Sequence, residues 1–212
     1  MPATHPLASF DFYFGLGSRY SYLAVTQLKM LSAADVALNW CPIYSPDLIR
    51  RVGPDPFAPT AQRGQYSWAY RAEDAARWAR HYGVPYRDPG EAKVDWRQIA
   101  MWAVAAKLLG RAPEFSSWAL ERTFVFGEPP GTVEDLSRGA LVAGLEPSSI
   151  LAMISSGEID AYHESLIEQA HGQGAFGVPT LVAEDGTLFW GQDRLPLIYD
   201  FLKARRDDGA KP

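Results

Sequence analysis

In this 212-residue chain, the side chains able to do chemistry are few and widely spaced. A single cysteine, Cys41, rules out an intrachain disulfide, a CxxC redox pair and a cysteine-based zinc site. His5, His81, His163 and His171 lie far apart and form no HExxH pair, so no metal centre is expected and all four read as surface or satisfied side chains. Gly15-Leu16-Gly17 begins like a dinucleotide loop, but Tyr20 holds the place of the third glycine, and no acidic ribose binder ends the second strand. What remains is hydroxyls and charges. Ser18 falls between a strand-like and a helix-like run, where a serine caps exposed amides and where a hydroxyl can also donate to an anion. Asp193 has two readings of the same kind ahead of the last helix, as a cap or as a partner for an ammonium group. Arg50 and Arg51 have the geometry to clamp a carboxylate, or else form an exposed basic pair.

The elements that must position these residues follow from periodicity. Phe10 to Phe14 (FDFYF) is a buried strand running into the Gly15–Gly17 turn, and Tyr22, Val25, Leu28, Met30 and Leu31 give the helical stripe that follows. Asp35 to Ile43 alternates as a second strand, ending in a stretch from Pro42 to Pro59 whose prolines predict an irregular surface connection. Helical signals alone then fill Gln65–Tyr82, Asp95–Leu109, Pro113–Phe126, Val133–Ala143, Pro147–Ser155 and Ile159–Gln169. Strand patterning returns at Thr180–Ala183 and Thr187–Trp190 around an Asp185-Gly186 turn. A last helix begins near Asp193, buries Leu197, Ile198, Phe201 and Leu202, and dissolves into a polar tail from Arg205. The order β-α-β, helices, β-β-α predicts an α/β fold: a four-stranded mixed sheet with a large all-helical insertion. The sheet domain would be discontinuous, 8–60 with 173–205, and the insertion 61–172.

Three motifs sharpen this into a resemblance. Phe12-Tyr13-Phe14 with Ser18-Arg19-Tyr20-Ser21-Tyr22-Leu23-Ala24 resembles an FYF…SPxSYLA opening, Phe176-Gly177-Val178-Pro179-Thr180 an FGVPT segment, and Trp190-Gly191-Gln192-Asp193-Arg194-Leu195 a WGQDRL segment. Nearly the whole chain is thereby similar to 2-hydroxychromene-2-carboxylate isomerases and kappa-class glutathione transferases, thioredoxin-like proteins related to bacterial disulfide oxidoreductases. The resemblance implies a thioredoxin-like fold in which Ser18 and Ser21 take the places of the two redox cysteines. It implies glutathione as cofactor, with Ser18 as the catalytic residue that orients and stabilises its sulfur at a helix N-terminus, where thiol pKa values fall. Val178-Pro179 would be a cis peptide offering main chain to the tripeptide as a short added strand. Gln192, Asp193 and Arg194 would hold its γ-glutamyl end.

The implied activity is a glutathione-dependent isomerisation of a small aromatic-derived unsaturated acid, by conjugate addition, rotation and elimination. A kappa-like transferase that releases the conjugate, and a thioredoxin-like adaptor without catalysis, are the alternatives. Several positions depart from the family pattern. Arg19 replaces the proline after the serine and is a candidate to stabilise a thiolate or an anionic substrate, unless it is solvated. Ser67 stands where a glutathione-binding lysine is expected, and Arg63, one helical turn earlier, is the candidate substitute. The segment after Pro42 does not match the family's loop.

Composition bounds the partners. Twenty basic against twenty-five acidic residues give a net charge of −5, which offers no footprint for nucleic acid or an anionic membrane. The longest apolar run, Ile99 to Ala106, is too short to span a bilayer, and the first fourteen residues do not read as a signal peptide, so a cytoplasmic protein is expected. Relatives of this kind tend to form dimers, so a homodimer through the insertion is the expected assembly. Of the seven tryptophans and ten tyrosines, Trp68, Tyr70, Trp78, Trp96, Trp102 and Trp118 fall in the helical block, mostly as core, with a few available to wall a pocket for an aromatic substrate.

Overall fold

A computed structural model describes residues 7–32, 36–54 and 66–209 of the chain. Strand β1 (Ala8–Phe14) leads through a tight turn into α1 (Arg19–Ser32), and β2 (Val36–Pro42) into α2 (Ser45–Val52). Six helices follow: α3 (Trp68–Tyr82), α4 (Trp96–Leu108), α5 (Ala112–Phe124), α6 (Val133–Val142), α7 (Pro147–Ser155) and α8 (Glu158–Gly172). The hairpin β3 (Thr180–Ala183) and β4 (Leu188–Trp190), a 3₁₀ turn at Gln192–Arg194 and α9 (Leu195–Gly209) complete the order. The four strands form one mixed sheet, β2-β1-β3-β4, with β1 parallel to β2 and antiparallel to β3. This is a thioredoxin fold with helices inserted between β2 and β3.

The sheet is held by the alternation of β1. Phe10, Phe12 and Phe14 share one face, each essentially buried. Phe10 meets Phe201 of α9 edge-on, with ring centroids 6.0 Å apart, and Phe12 and Phe14 each meet Trp40 of β2 edge-on at 5.5 and 5.4 Å. Burying such a ring stabilises by about 1.5–3 kcal/mol. On the opposite face Tyr13 is also buried, its hydroxyl donating to Gln173 Oε1 at 2.7 Å, and burial pushes its ionisation far above the ordinary tyrosine range. Within the inserted block α4 is buried continuously from Ile99 to Ala106. The ring of Trp118 lies so close to α6 that a Cβ on Gly139 would fall 2.2 Å from it, which is why that helix carries a glycine in its interior.

Three expectations are corrected. The stretch from Pro42 is not irregular throughout: Ser45–Val52 is helical, because Pro46 sits in the first turn, where a missing N–H costs nothing. Residues 55–65 lie outside the described residues, and with them Arg63. The last helix does not dissolve at Arg205 but continues to Gly209; Arg205 donates to Glu184 and, at 2.6 Å, to Asp185 Oδ2, stapling α9 to the β3–β4 turn. On that helix Leu195, Ile198 and Leu202 are buried while Leu197 is half exposed. Of the aromatic side chains in the helical block, Trp102 is fully buried, while Trp68 and Tyr70 are about half exposed.

Candidate active site

The turn that carries Ser18 is closed by its own main chain and by two serines. The Ser18 N–H donates to Gly15 O and the Tyr22 N–H to Ser18 O, both at 3.1 Å. Ser18 Oγ accepts the Ser21 N–H at 3.2 Å, so it does cap α1. Ser21 is fully buried, and its Oγ accepts the Gly15 N–H at 3.2 Å, pinning the turn from inside. A hydroxyl has one proton and two lone pairs. Ser18 spends a lone pair on the cap and keeps its proton, and its side chain is only half-buried. Capping and anion binding are thus compatible at this residue.

The other predicted elements close around this turn. A Cβ on Gly15 would stand 3.5 Å from a Val178 methyl, so Val178 packs directly on the turn. The Val178–Pro179 peptide is cis. Thr180 Oγ1 donates to Gly177 O at 2.8 Å, and the Gly191 N–H donates to Pro179 O at 2.9 Å. Val178 itself precedes the β3 ladder, which begins at Thr180. The 3₁₀ turn Gln192–Arg194 packs against α1. Gln192 is buried, its Oε1 accepting the Tyr82 hydroxyl, while Asp193 stays half-buried beside Arg194 Nη1 at 3.3 Å. Burial, and then the nearby Asp193 charge, push the Tyr82 hydroxyl up to about 12. Ser18, Val178, Pro179, Gln192, Asp193 and Arg194 are therefore brought together at the carboxyl end of β1.

Arg19 goes elsewhere. It is 7% exposed rather than solvated, and its guanidinium pairs with Asp88 Oδ2 at 2.9 Å and lies 5.2 Å from the centroid of the Trp68 ring. Tyr86 donates to the same Asp88 oxygen at 2.8 Å. Arg19 Nε is buried with no hydrogen-bond partner among the described residues. A cation in the first turn of a helix opposes the macrodipole, and a buried N–H without an acceptor adds to that cost. Ser67, at the position of the expected lysine, caps α3 by accepting the Tyr70 N–H at 3.5 Å. Arg50 is engaged by Asp47, and Arg51 by Glu164 and Glu168, so neither is a free carboxylate clamp.

Sequence reading missed the residues that support the site from other elements. Trp96, at the start of α4, lies so close to the turn that a Cβ on Gly17 would fall 2.9 Å from its ring; the glycine was the only signal. Tyr82, Asp88 and Ser45 carry no local signature at all. Cys41 is fully buried on β2, where desolvation raises its thiol to about 12, so it is not a nucleophile. Among the described residues no cluster of His, Cys, Asp and Glu is arranged to hold a metal, and no helix is long and apolar enough to cross a membrane.

A model of the DSBA-like thioredoxin domain matches residues 9–203. The chain is 27% identical over 194 residues to a 2-hydroxychromene-2-carboxylate isomerase of Sphingobium xenophagum, covering 91% of this chain and 96% of that protein. It is 30% identical over 190 residues to a 2-hydroxychromene-2-carboxylate isomerase of Pseudomonas putida, covering 87% and 89%. Among solved structures it superposes on a 2-hydroxychromene-2-carboxylate isomerase with a TM-score of 0.78 at 20% identity, over 96% of this chain and 100% of that one. A probable DsbA oxidoreductase from Streptomyces coelicolor gives 0.66 at 16% identity, over 97% and 92%. Structural similarities at this level of identity speak to the fold.

Proposed function

The chain belongs to the DSBA-like thioredoxin domain family, alongside relatives named as isomerases, and we propose that it is a glutathione-dependent isomerase of an aromatic-derived unsaturated acid of the 2-hydroxychromene-2-carboxylate kind. One observation carries the glutathione dependence. Hydroxyls stand at the head of α1, while the chain's one thiol, Cys41, is sealed in the sheet. Thiol chemistry at Ser18 therefore needs a thiol from outside.

The residues present fit a thiol tripeptide. Ser18 retains a proton to donate to a sulfur anion, and the unpaired amides of the α1 N-terminus favour negative charge beside it. Val178, outside the sheet ladder and next to the Ser18 turn, is placed to pair main chain to main chain. Asp193 supplies a half-buried carboxylate for an ammonium group, with Gln192 held in place by Tyr82 and Arg194 at its side. Glutathione bound there would supply a thiolate that adds to an unsaturated carbon and leaves again, letting a double bond rotate in between. Ser18 would stabilise the sulfur anion before addition and again after elimination; in the adduct between them the sulfur is a neutral thioether and the charge lies on the substrate.

The test is to incubate the protein with 2-hydroxychromene-2-carboxylate, with and without glutathione, and to follow both the isomer and the free thiol. Interconversion that requires glutathione and leaves its concentration unchanged is the expected result. Stoichiometric thioether would instead assign a transferase, and turnover indifferent to glutathione would overturn the proposal.

A further inference from the structure

Helix α2 starts without a side-chain cap: Tyr44, its N-cap residue, makes no such bond. The main-chain N–H of Tyr44 is taken instead by His163 Nε2, 3.1 Å away and 119 residues along the chain. His163 lies on α8 and is 1% exposed. Accepting that N–H fixes the tautomer, because Nε2 must be bare and the ring proton must sit on Nδ1. Nδ1 is 3.9 Å from Asp47 Oδ2. One neutral imidazole thus ties the head of α2 to α8.

The head of α2 is also a wall of the Ser18 turn. A Cβ on Gly15 would stand 3.2 Å from Ser45 Oγ, and Gly15 holds both ends of the turn through its N–H to Ser21 Oγ and its carbonyl from the Ser18 N–H. We infer that His163 is a positioning residue for the candidate active site: by accepting the Tyr44 N–H it seats Tyr44-Ser45 against Gly15 and so sets the turn that presents Ser18. The inference rests on the proposed role of Ser18.

Only the neutral ring can do this, since a proton on Nε2 would face the Tyr44 N–H donor to donor. The charged groups around His163 are Asp47 from α2, Arg97 from α4 and Asp160 from α8 itself; Arg97 bridges the two carboxylates at 2.5 and 2.8 Å. Arg50 and Arg51 of α2 are engaged by Asp47 and by Glu164 and Glu168. Burial outweighs the two carboxylates and, with Arg97 adding to it, brings the imidazole down to about 4. At neutral pH the acceptor is in place.

Hydrogen exchange of the segments Ile43–Val52 and Phe14–Tyr22, read at pH 7 without glutathione, tests this independently of any activity. His163→Leu leaves the Tyr44 N–H buried and unsatisfied, and exchange in both segments should rise by about ten-fold or more. His163→Gln, whose amide oxygen reaches roughly where Nε2 stands, should restore most of the protection. Tyr44→Pro removes the donor at a φ of −79° that proline accepts, with Tyr44→Ala as the reference that keeps it. Adding His163→Leu to Tyr44→Pro should change Phe14–Tyr22 no further.

In turnover, His163→Leu should lower kcat by roughly ten- to a hundred-fold with the glutathione KM unchanged, and the glutamine variant should recover it. Wild-type protection in His163→Leu, or leucine and glutamine variants that behave alike, would overturn the inference. Should His163→Leu fail to fold, Tyr44→Pro against Tyr44→Ala makes the same comparison. If the wild type shows no glutathione-dependent turnover, the functional reading fails while the exchange data still decide what His163 holds.

Discussion

Replacing Ser18 separates the cap from the chemistry, because the two roles use different parts of one hydroxyl. The cap uses a lone pair, which accepts the Ser21 N–H at 3.2 Å. Binding a sulfur anion uses the proton. Ser18→Ala removes both. Loss of the cap should cost about 1 kcal/mol of stability, or roughly 2–4 °C in Tm for a chain of this size. Loss of the donor should lower kcat by roughly 10²- to 10³-fold. A hydrogen bond to a charged group contributes about 1.5–3 kcal/mol, so the acid limb of the kcat profile, set by the bound thiol, should move up by about one to two pH units. Ser18→Asp keeps a good acceptor for Ser21 and suits the helix dipole, but it has no proton to give and places a negative charge where the sulfur must sit. It should melt at or above the wild-type temperature and turn over more slowly than Ser18→Ala. Thermal unfolding and the pH dependence of kcat, measured on the same preparations, decide the matter. An Asp variant within a few-fold of wild-type kcat, or an Ala variant whose activity falls only with its folded fraction, would leave Ser18 a cap and nothing more.

Other consequences are local and independent of the ligand. Gly17→Ala would bring a Cβ to 2.9 Å from the Trp96 ring and should cost about 1–3 kcal/mol in thermal or denaturant unfolding, a loss largely relieved by Trp96→Leu in the same chain. The Ser9 N–H and Arg205 hold Glu184 below its ordinary range, and Thr187 and then Arg205 hold Asp185 down at about 2. Both pKa values are depressed on folding, so their stabilisation is present above about pH 4.5 and is lost as the pH falls toward 2. Arg205→Ala should flatten that part of the stability profile: its cost should be present at pH 7 and vanish as the pH falls toward 2, as acid titrations of unfolding will show. Cys41, raised to about 12 by burial, should resist an aromatic disulfide reagent in the folded protein and react with one equivalent on denaturation; rapid labelling of the native state would contradict its placement in the sheet.

How much of this was legible in the sequence depended on the range of the interaction. The sheet was legible because its strands are β-compatible runs that end on turn residues of their own: Thr180–Ala183 has the bounds that its composition predicts, and Asp185-Gly186 makes the turn. Helix α7 likewise runs from Pro147 to Ser155 as read. Helix α2 is not legible because a run of prolines predicts a broken chain, whereas the one that matters, Pro46, sits in a first turn that lacks an acceptor for its N–H anyway. The candidate site was legible where residues are neighbours in sequence, as at Ser18 to Ser21 or Gln192 to Arg194. It was illegible where support arrives from another element. Trp96 on Gly17, Tyr82 on Gln192, Asp88 on Arg19 and His163 on Tyr44 each join residues far apart in the chain, and none bears a local pattern that names its partner.

Those long-range contacts bring several helix starts together at one end of the sheet. Three chain segments begin helices at the carboxyl end of the sheet: α1 at Ser18, α2 at Tyr44-Ser45, and the 3₁₀ turn at Gly191-Gln192. They meet around the Gly15 turn and the Val178–Pro179 peptide, since Ser45 and Val178 both pack on Gly15 and Gly191 donates to Pro179. Each start leaves main-chain N–H groups without acceptors in its own helix, so the region has a positive field that does not depend on which atom carries the reactive charge. A cysteine at the head of α1 would be ionised by that field. A serine would not, because no field of this size brings an alcohol into the physiological range; it can only lend its proton to an anion that arrives. Hydroxyls at Ser18 and Ser21 therefore keep the helix-terminus field and remove the redox chemistry, so on the proposed reading turnover would depend on an external thiol.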